Sequence, residues 1–263
     1  MLSAIEVFNL TKYFSIRKSL KEIIFSPFKK KNKKLVLDNV GFEVKPATIF
    51  CLIGPNGAGK TTLIKILAGL ILPDLGKVKV LGYDIIKEEL KVKNSIGLFT
   101  GEERSFYWRL TARENLEFFA SLYNLSKKER EKRINDLSRL LKVDNLNIRF
   151  QEYSTGMKQR IALIRCLLND PKLILMDEPT KNLDPLIANE LRNFIKDELV
   201  ERQGKTVFFC THNLKEAVFL GKYLAIMDKG KIKALGTIEE IRKQAGFSQD
   251  IDIEEIFRFY VHQ

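Results

Sequence analysis

The sequence predicts an α/β fold, a parallel sheet flanked by helices and carrying a helical insertion. Three observations predict it. The glycine-rich run GPNGAGKTT follows an apolar strand and opens a helix. KLILMDEP is continuously apolar, like the strands buried on both faces of a parallel sheet. From Thr111 to about residue 170 the apolar spacing turns helical.

Taken in order, SAIEVFNL alternates like a strand, and LVLDNVGFEV and TIFCLIG read as two more. TTLIKILAGL is a helix that stops at Gly69, and KVKVLG and NSIGLFT are further strands. Thr111 with Glu114, and Ser126 with Glu129, have the spacing of a capping box. In YSTGMKQR, Ser154 reads as the N-cap of a helix that buries Met157, Ile161, Ile164 and Leu168. KTVFFCTH is another apolar strand, and helical segments separate it from its neighbours. Apart from a lysine run there is no low-complexity tract and no internal repeat.

At 263 residues and 45% hydrophobic content, the chain can bury the core of one large domain with a subdomain. No stretch reaches the roughly 18 consecutive apolar residues of a spanning helix; Arg165 interrupts the best candidate, IALIRCLL. The opening MLSAIEVFNLTKYF has no export signal, so a chain neither spanning a membrane nor exported is expected. Cys51, Cys166 and Cys210 are too scattered for a disulfide framework or zinc site and read as core residues of a reducing cytoplasm.

The net charge is +12, and much of it is local: eight basic residues and one acid lie between Ile16 and Lys34. There Ile16, Leu20, Ile23 and Ile24 share one helical face opposite Arg17, Lys18 and Lys21, until Ser26-Pro27 ends the segment. Such a helix either lies near anionic headgroups or packs on its own domain.

In the glycine-rich run, Gly54, Pro55, Asn56, Gly57, Ala58 and Gly59 form a backbone cradle for phosphate oxygens at a helix N-terminus. Thr62 completes the motif. Lys60 is expected to reach the β- and γ-phosphates of a nucleotide, and the Thr61 hydroxyl to bind Mg²⁺. Asp177 and Glu178 end an apolar strand, and alternation along a strand sends neighbouring side chains to opposite faces. Asp177 is therefore expected to hold the Mg²⁺ shell and Glu178 to polarise the attacking water. His212, at the end of VFFCTH, suits a γ-phosphate contact.

GPNGAGKTT, YSTGMKQR, LILMDEPTKNLDP and CTHN, in that order, resemble the ATP-binding cassette of ABC transporters over nearly the whole chain. The resemblance implies a P-loop NTPase, a RecA-like core with an antiparallel β subdomain and a helical subdomain. It implies one domain over residues 1–263, with residues 101–170 as the helical subdomain and the basic insertion 16–34 in the rest. The signature patch Ser154, Thr155, Gly156 and Met157 is then expected to close over ATP held by a second cassette, making a homodimer the expected ATP-bound state. Asp184 belongs to the loop that crosses the dimer interface. Adenine is expected to stack on Phe14, with Tyr13 as the alternative.

Several positions depart from the family pattern. Thr155 and Met157 stand where glycine and glutamine are commonest, a variant resembling exporters whose permease is a separate chain. Lys181 and Asn182 replace smaller residues, and Gly101 stands where the family has a glutamine, so Glu102 or Glu103 is expected to substitute partly. Phe106, Tyr107 and Trp108 either dock the permease or fill the helical subdomain. The function implied is ATP hydrolysis with Mg²⁺, coupled to export by a separate permease at the cytoplasmic face of the membrane, with no nucleic acid expected. A soluble ATPase acting on nucleic acid or ribosomes, which the charge would suit, is the alternative.

Overall fold

The computed structural model describes residues 3–15, 33–100, 105–247 and 252–261. Most of the basic insertion, and Gly101, Glu102 and Glu103, lie outside the described residues. The strands are β1 (Ile5–Ser15), β2 (Lys33–Val44), β3 (Ile49–Ile53), β4 (Leu75–Val80), β5 (Tyr83–Asp84), β6 (Ile96–Thr100), β7 (Leu173–Asp177), β8 (Thr206–Thr211), β9 (Tyr223–Asp228) and β10 (Lys231–Gly236). The α-helices are α1 (Lys60–Leu67), α2 (Glu89–Ser95), α3 (Ala112–Ser121), α4 (Lys127–Leu140), α5 (Thr155–Leu167), α6 (Pro185–Asn193), α7 (Leu214–Leu220), α8 (Ile238–Gln244) and α9 (Ile253–Val261). Helix α6 continues in π-turns over Phe194–Arg202.

A six-stranded sheet in the order β10-β9-β3-β8-β7-β6 is parallel from β9 to β6, with β10 an antiparallel edge. A second, antiparallel sheet has the order β2-β1-β4-β5. β3 and β8 are buried at every position because both their faces are covered, which is why they read as unbroken apolar runs. Alternation divides their side chains between two cores. Ile49, Cys51, Ile53, Val207 and Phe209 face the core that runs into α3, α4 and α5. Phe50, Leu52, Phe208 and Cys210 face α1 and the antiparallel sheet, where the rings of Phe42, Phe50 and Phe208 stack at 5.4–5.8 Å.

Both expected capping boxes are present, at Thr111/Glu114 and Ser126/Glu129, and a third occurs at Thr237/Glu240. Gly69 follows the end of α1 in the left-handed conformation (φ +67°) and bonds back to Ile66 O. The NSIGLFT strand begins only at Ile96, because Asn94 and Ser95 end α2. That helix has no apolar periodicity to announce it, since Val92 is its one buried residue.

The strand ends position the site. In the register, Ile53 is level with Thr211, Cys210 with Asp177, and Asp177 with Thr100. Gly54, Glu178 and His212 are therefore the first residues beyond three neighbouring strands, at the carboxyl edge where open α/β sheets take ligands.

Candidate nucleotide site

The loop after β3 is shaped by what presses on it. A Cβ on Gly54 would stand 2.3 Å from Met227 O at the end of β9. One on Gly59 (φ +112°) would stand 2.7 Å from Leu37 Cδ2 of β2. Only glycine lets the backbone run between these two elements. The β9–β10 turn fastens the loop from outside: Gly230 N–H donates to Ala58 O at 2.9 Å, and Asp38 N–H donates to Gly230 O at 2.9 Å.

Lys60 opens α1 and is only 6% exposed. Its ammonium donates to Gly54 O at 2.7 Å and Pro55 O at 3.1 Å, which satisfies a charge that burial would otherwise penalise heavily. The same nitrogen lies 4.0 Å from Glu178 Oε1.

Asp177 ends β7. Burial raises its pKa, a hydrogen bond with the Thr61 side chain opposes that rise, and the neighbouring Glu178 charge adds to it. Its Oδ1 is buried without a hydrogen-bond partner among the described residues. An orphaned carboxylate oxygen beside a hydroxyl suits a hard divalent cation, so Thr61 and Asp177 fit Mg²⁺.

Glu178 departs from the expected strand geometry. Its φ is +50°, the left-handed region, which costs a non-glycine residue about 1–2 kcal/mol. A break in the backbone after Asp177, rather than alternation along a continuing strand, separates the two acids. Glu178 N–H donates to Cys210 O at 2.9 Å, and its carboxylate meets His212 Nδ1 at 2.7 and 2.8 Å. Such strain in a residue whose carboxylate is held by a histidine is typical of a functional site.

Lys60, Thr61, Asp177 and Glu178 line a cavity of ≈ 860 Å³; His212 is not among its lining residues and meets the site through the Glu178 carboxylate. Its walls include Asn56, Gly57, Gly59, Lys60, Thr61 and Thr62 of the loop, with Asp177 and Glu178. Thr155 and Gln159 of α5, and Lys181 and Asn182, also reach it. Asn182 has φ +62°, a conformation asparagine tolerates. Ser154 caps α5, its hydroxyl accepting from Met157 N–H at 3.4 Å. Gly156 packs against α6, where an added Cβ would meet Ile187 Cδ1 at 2.7 Å. Asp184 sits at the N-cap position of α6 without a side-chain capping bond.

Neither Phe14 nor Tyr13 is among the lining residues, but their cross-strand partners Lys34 and Leu35 are. The Phe14 ring is 39% exposed and lies 5.5 Å from Lys12 Nζ; Tyr13 N–H donates to Asp74. The sequence reading missed the lining contribution of β2 and of Lys229 and Gly230. The short turn between the apolar run YLAIMD and KIKALG was the available signal for the latter.

The ABC transporter family matches residues 37–181. The chain is 37% identical over 214 residues to the ABC transporter ATP-binding protein NatA of Bacillus subtilis (strain 168), an alignment covering 81% of this chain and 86% of that protein. It is 35% identical over 215 residues to the linearmycin resistance ATP-binding protein LnrL of the same organism, covering 81% and 68%. Among solved structures, the dimeric MJ0796, a bacterial ABC transporter cassette, is 26% identical with a TM-score of 0.75 over 89% of this chain and 98% of that one.

Proposed function

The chain belongs to the ABC transporter family as an ATP-binding ATPase, and from that premise we propose that it drives export through a permease on a separate chain. The observation that carries this reading is the common end of β3, β7 and β8, which gathers the phosphate loop and Glu178 around one cavity, with His212 hydrogen-bonded to Glu178. The likeness to a protein named for linearmycin resistance supports export. No helix among the described residues is long and apolar enough to cross a membrane, in keeping with a partner chain that does so.

In this reading the loop from Gly54 to Thr62 holds the phosphates, with Lys60 turning from its own carbonyls to the β- and γ-phosphates. Thr61 and Asp177 hold Mg²⁺, which neutralises charge on the phosphate oxygens. Glu178 accepts the proton of the attacking water, and His212 orients that carboxylate and contacts the γ-phosphate. Ser154 and Thr155, at a capped helix start, donate to the γ-phosphate of a second copy's ATP. Asp184 meets that copy across the interface, and Phe14 or Tyr13 stacks on adenine. In this reading residues 101–170 form the helical subdomain of a single domain. Tyr107 and Trp108 face the permease and hold the chain at the membrane surface.

The test is the solution mass of Glu178→Gln with and without ATP and Mg²⁺. A shift from monomer to dimer, abolished by Ser154→Arg, is the expected result. A nucleotide-bound protein that stays monomeric in the presence of its permease would overturn the homodimer.

A further inference from the structure

We propose that Glu216 is a positioning residue for hydrolysis, holding Glu178 and His212 in register through one hydroxyl on each side. Glu216 lies in the first turn of α7 and is only 2% exposed. Its Oε1 accepts from Thr180 Oγ1 at 2.7 Å, and its Oε2 accepts from Thr211 Oγ1 at 2.7 Å. Thr180 is two residues past Glu178, and Thr211 immediately precedes His212. One carboxylate thus spans the two segments that carry the pair.

The bridge stands where the sheet stops holding the strands together. The β7–β8 ladder ends at Asp177↔Cys210; beyond it one backbone bond, Glu178 N–H to Cys210 O, and the His212–Glu178 side-chain contact link the two segments directly. Past that point Glu178 takes its left-handed turn and the strand pairing stops. The carboxylate is itself fixed. Asn213 Oδ1 accepts from Glu216 N–H at 3.2 Å, and Thr211 Oγ1 accepts from Asn213 N–H at 3.0 Å, so its hydroxyl hydrogen is left for Glu216.

The chemistry accounts for a carboxylate rather than another buried group. Both oxygens take a hydroxyl donor, and an ionised carboxylate is the side chain with two acceptors and no donor. Glutamine keeps one acceptor and obliges one threonine to reverse its hydroxyl; alanine leaves both unheld. Hydrogen bonds to an ionised acceptor in a water-poor site are about twice as strong as neutral ones, which suits a brace. A small displacement of the pair is costly in rate, because misplacing a catalytic group by about 1 Å can lose ~100-fold.

This inference rests on the reading of Glu178 as the group that polarises water. The experiment is steady-state ATPase kinetics with melting curves on Glu216→Ala, Glu216→Gln, Thr180→Val and Thr211→Val, and on Glu216→Ala combined with Glu178→Gln. The expected result is a fall in kcat of ~10- to ~100-fold for Glu216→Ala, a smaller fall for Glu216→Gln, and KM within about twofold throughout. Thr180→Val, close in shape to the native residue, carries the test if Glu216→Ala fails to fold. On the Glu178→Gln background, Glu216→Ala is expected to lower residual turnover by less than it does in the wild type, because the part of the brace that acts through Glu178 is already lost. If Glu178→Gln is inactive while Glu216→Gln and both threonine variants keep the wild-type kcat, Glu216 only fills the core and the inference is wrong. If Glu178→Gln itself turns over normally, the reading of Glu178 fails first.

Discussion

The Phe106 ring lies 4.2 Å from that of Phe150, nearly parallel to it, and the Arg165 guanidinium covers Phe106 at 4.5 Å. Arg165 also donates to Ser105 Oγ at 2.6 Å. One side chain of α5 therefore fastens the segment that follows residues 101–104. The two alternatives left open for Phe106, Tyr107 and Trp108 divide at this point. Phe106 is core, 5% exposed, whereas Tyr107 and Trp108 are 51% and 59% exposed.

Phe106→Ala should accordingly destabilise the protein by about 3–5 kcal/mol, read from denaturant unfolding. Trp108→Ala should change stability by less than about 0.5 kcal/mol and keep ATPase activity, while losing transport in membranes that contain the permease. Transport at the wild-type rate would remove Trp108 from the docking surface.

Gly54 and Gly57 are constrained for different reasons, and alanine should separate them. A Cβ at Gly54 runs into the Met227 carbonyl, part of a strand that cannot swing aside, so Gly54→Ala should displace the phosphate loop. An overpacking cost of about 1–3 kcal/mol and a large loss of ATP affinity are expected. Gly57 has open space around a Cβ and only its φ of +82° to object, so Gly57→Ala should cost about 1–2 kcal/mol. Calorimetric titration with ATP, alongside melting, distinguishes the two.

The three cysteines should be inert to alkylation in the folded protein. All are buried, and burial pushes the Cys166 thiol up to about 12 and those of Cys51 and Cys210 well above their ordinary value. Iodoacetamide at about pH 8 should label none of them until denaturant is added, because the reactive species is the thiolate. Labelling of the native protein, located by mass spectrometry, would show a local opening at that strand or helix.

Much of this arrangement was legible in the sequence because it rests on local rules. GPNGAGKTT announces a loop and a helix start, Thr111 and Glu114 announce a cap, and an unbroken run such as LILMD announces a strand covered on both sides. What was not legible depends on contacts between distant segments. Lys34 and Gly230 reach the cavity because β2 and the β9–β10 turn fold against the loop. The backbone break at Glu178 has no signature in the tetrapeptide MDEP, and the N–H of that residue pairs with Cys210 O on a strand distant in sequence. Glu216 reads as one more acid in the first turn of a helix until Thr180 and Thr211 are seen on either side of it.

Asp177 gives a pH test whose sign follows from its raised pKa. A carboxyl that burial makes harder to ionise holds its proton more tightly in the folded chain than in the unfolded one. Its contribution to stability is fully present below the unfolded pKa and is lost as pH rises through the higher folded pKa. At neutral pH, without nucleotide or metal, the folded protein must therefore keep a partly buried charge whose Oδ1 has no partner among the described residues. Asp177→Asn removes that charge, so its melting temperature should exceed the wild type's at neutral pH and converge with it in acid. The same substitution should abolish Mg²⁺-dependent hydrolysis, since a neutral amide is a poor ligand for a hard cation. Melting curves across the acid-to-neutral range, run without nucleotide, make the check. A variant less stable than wild type at neutral pH would mean that the Thr61 hydrogen bond outweighs the penalty of burying the charge.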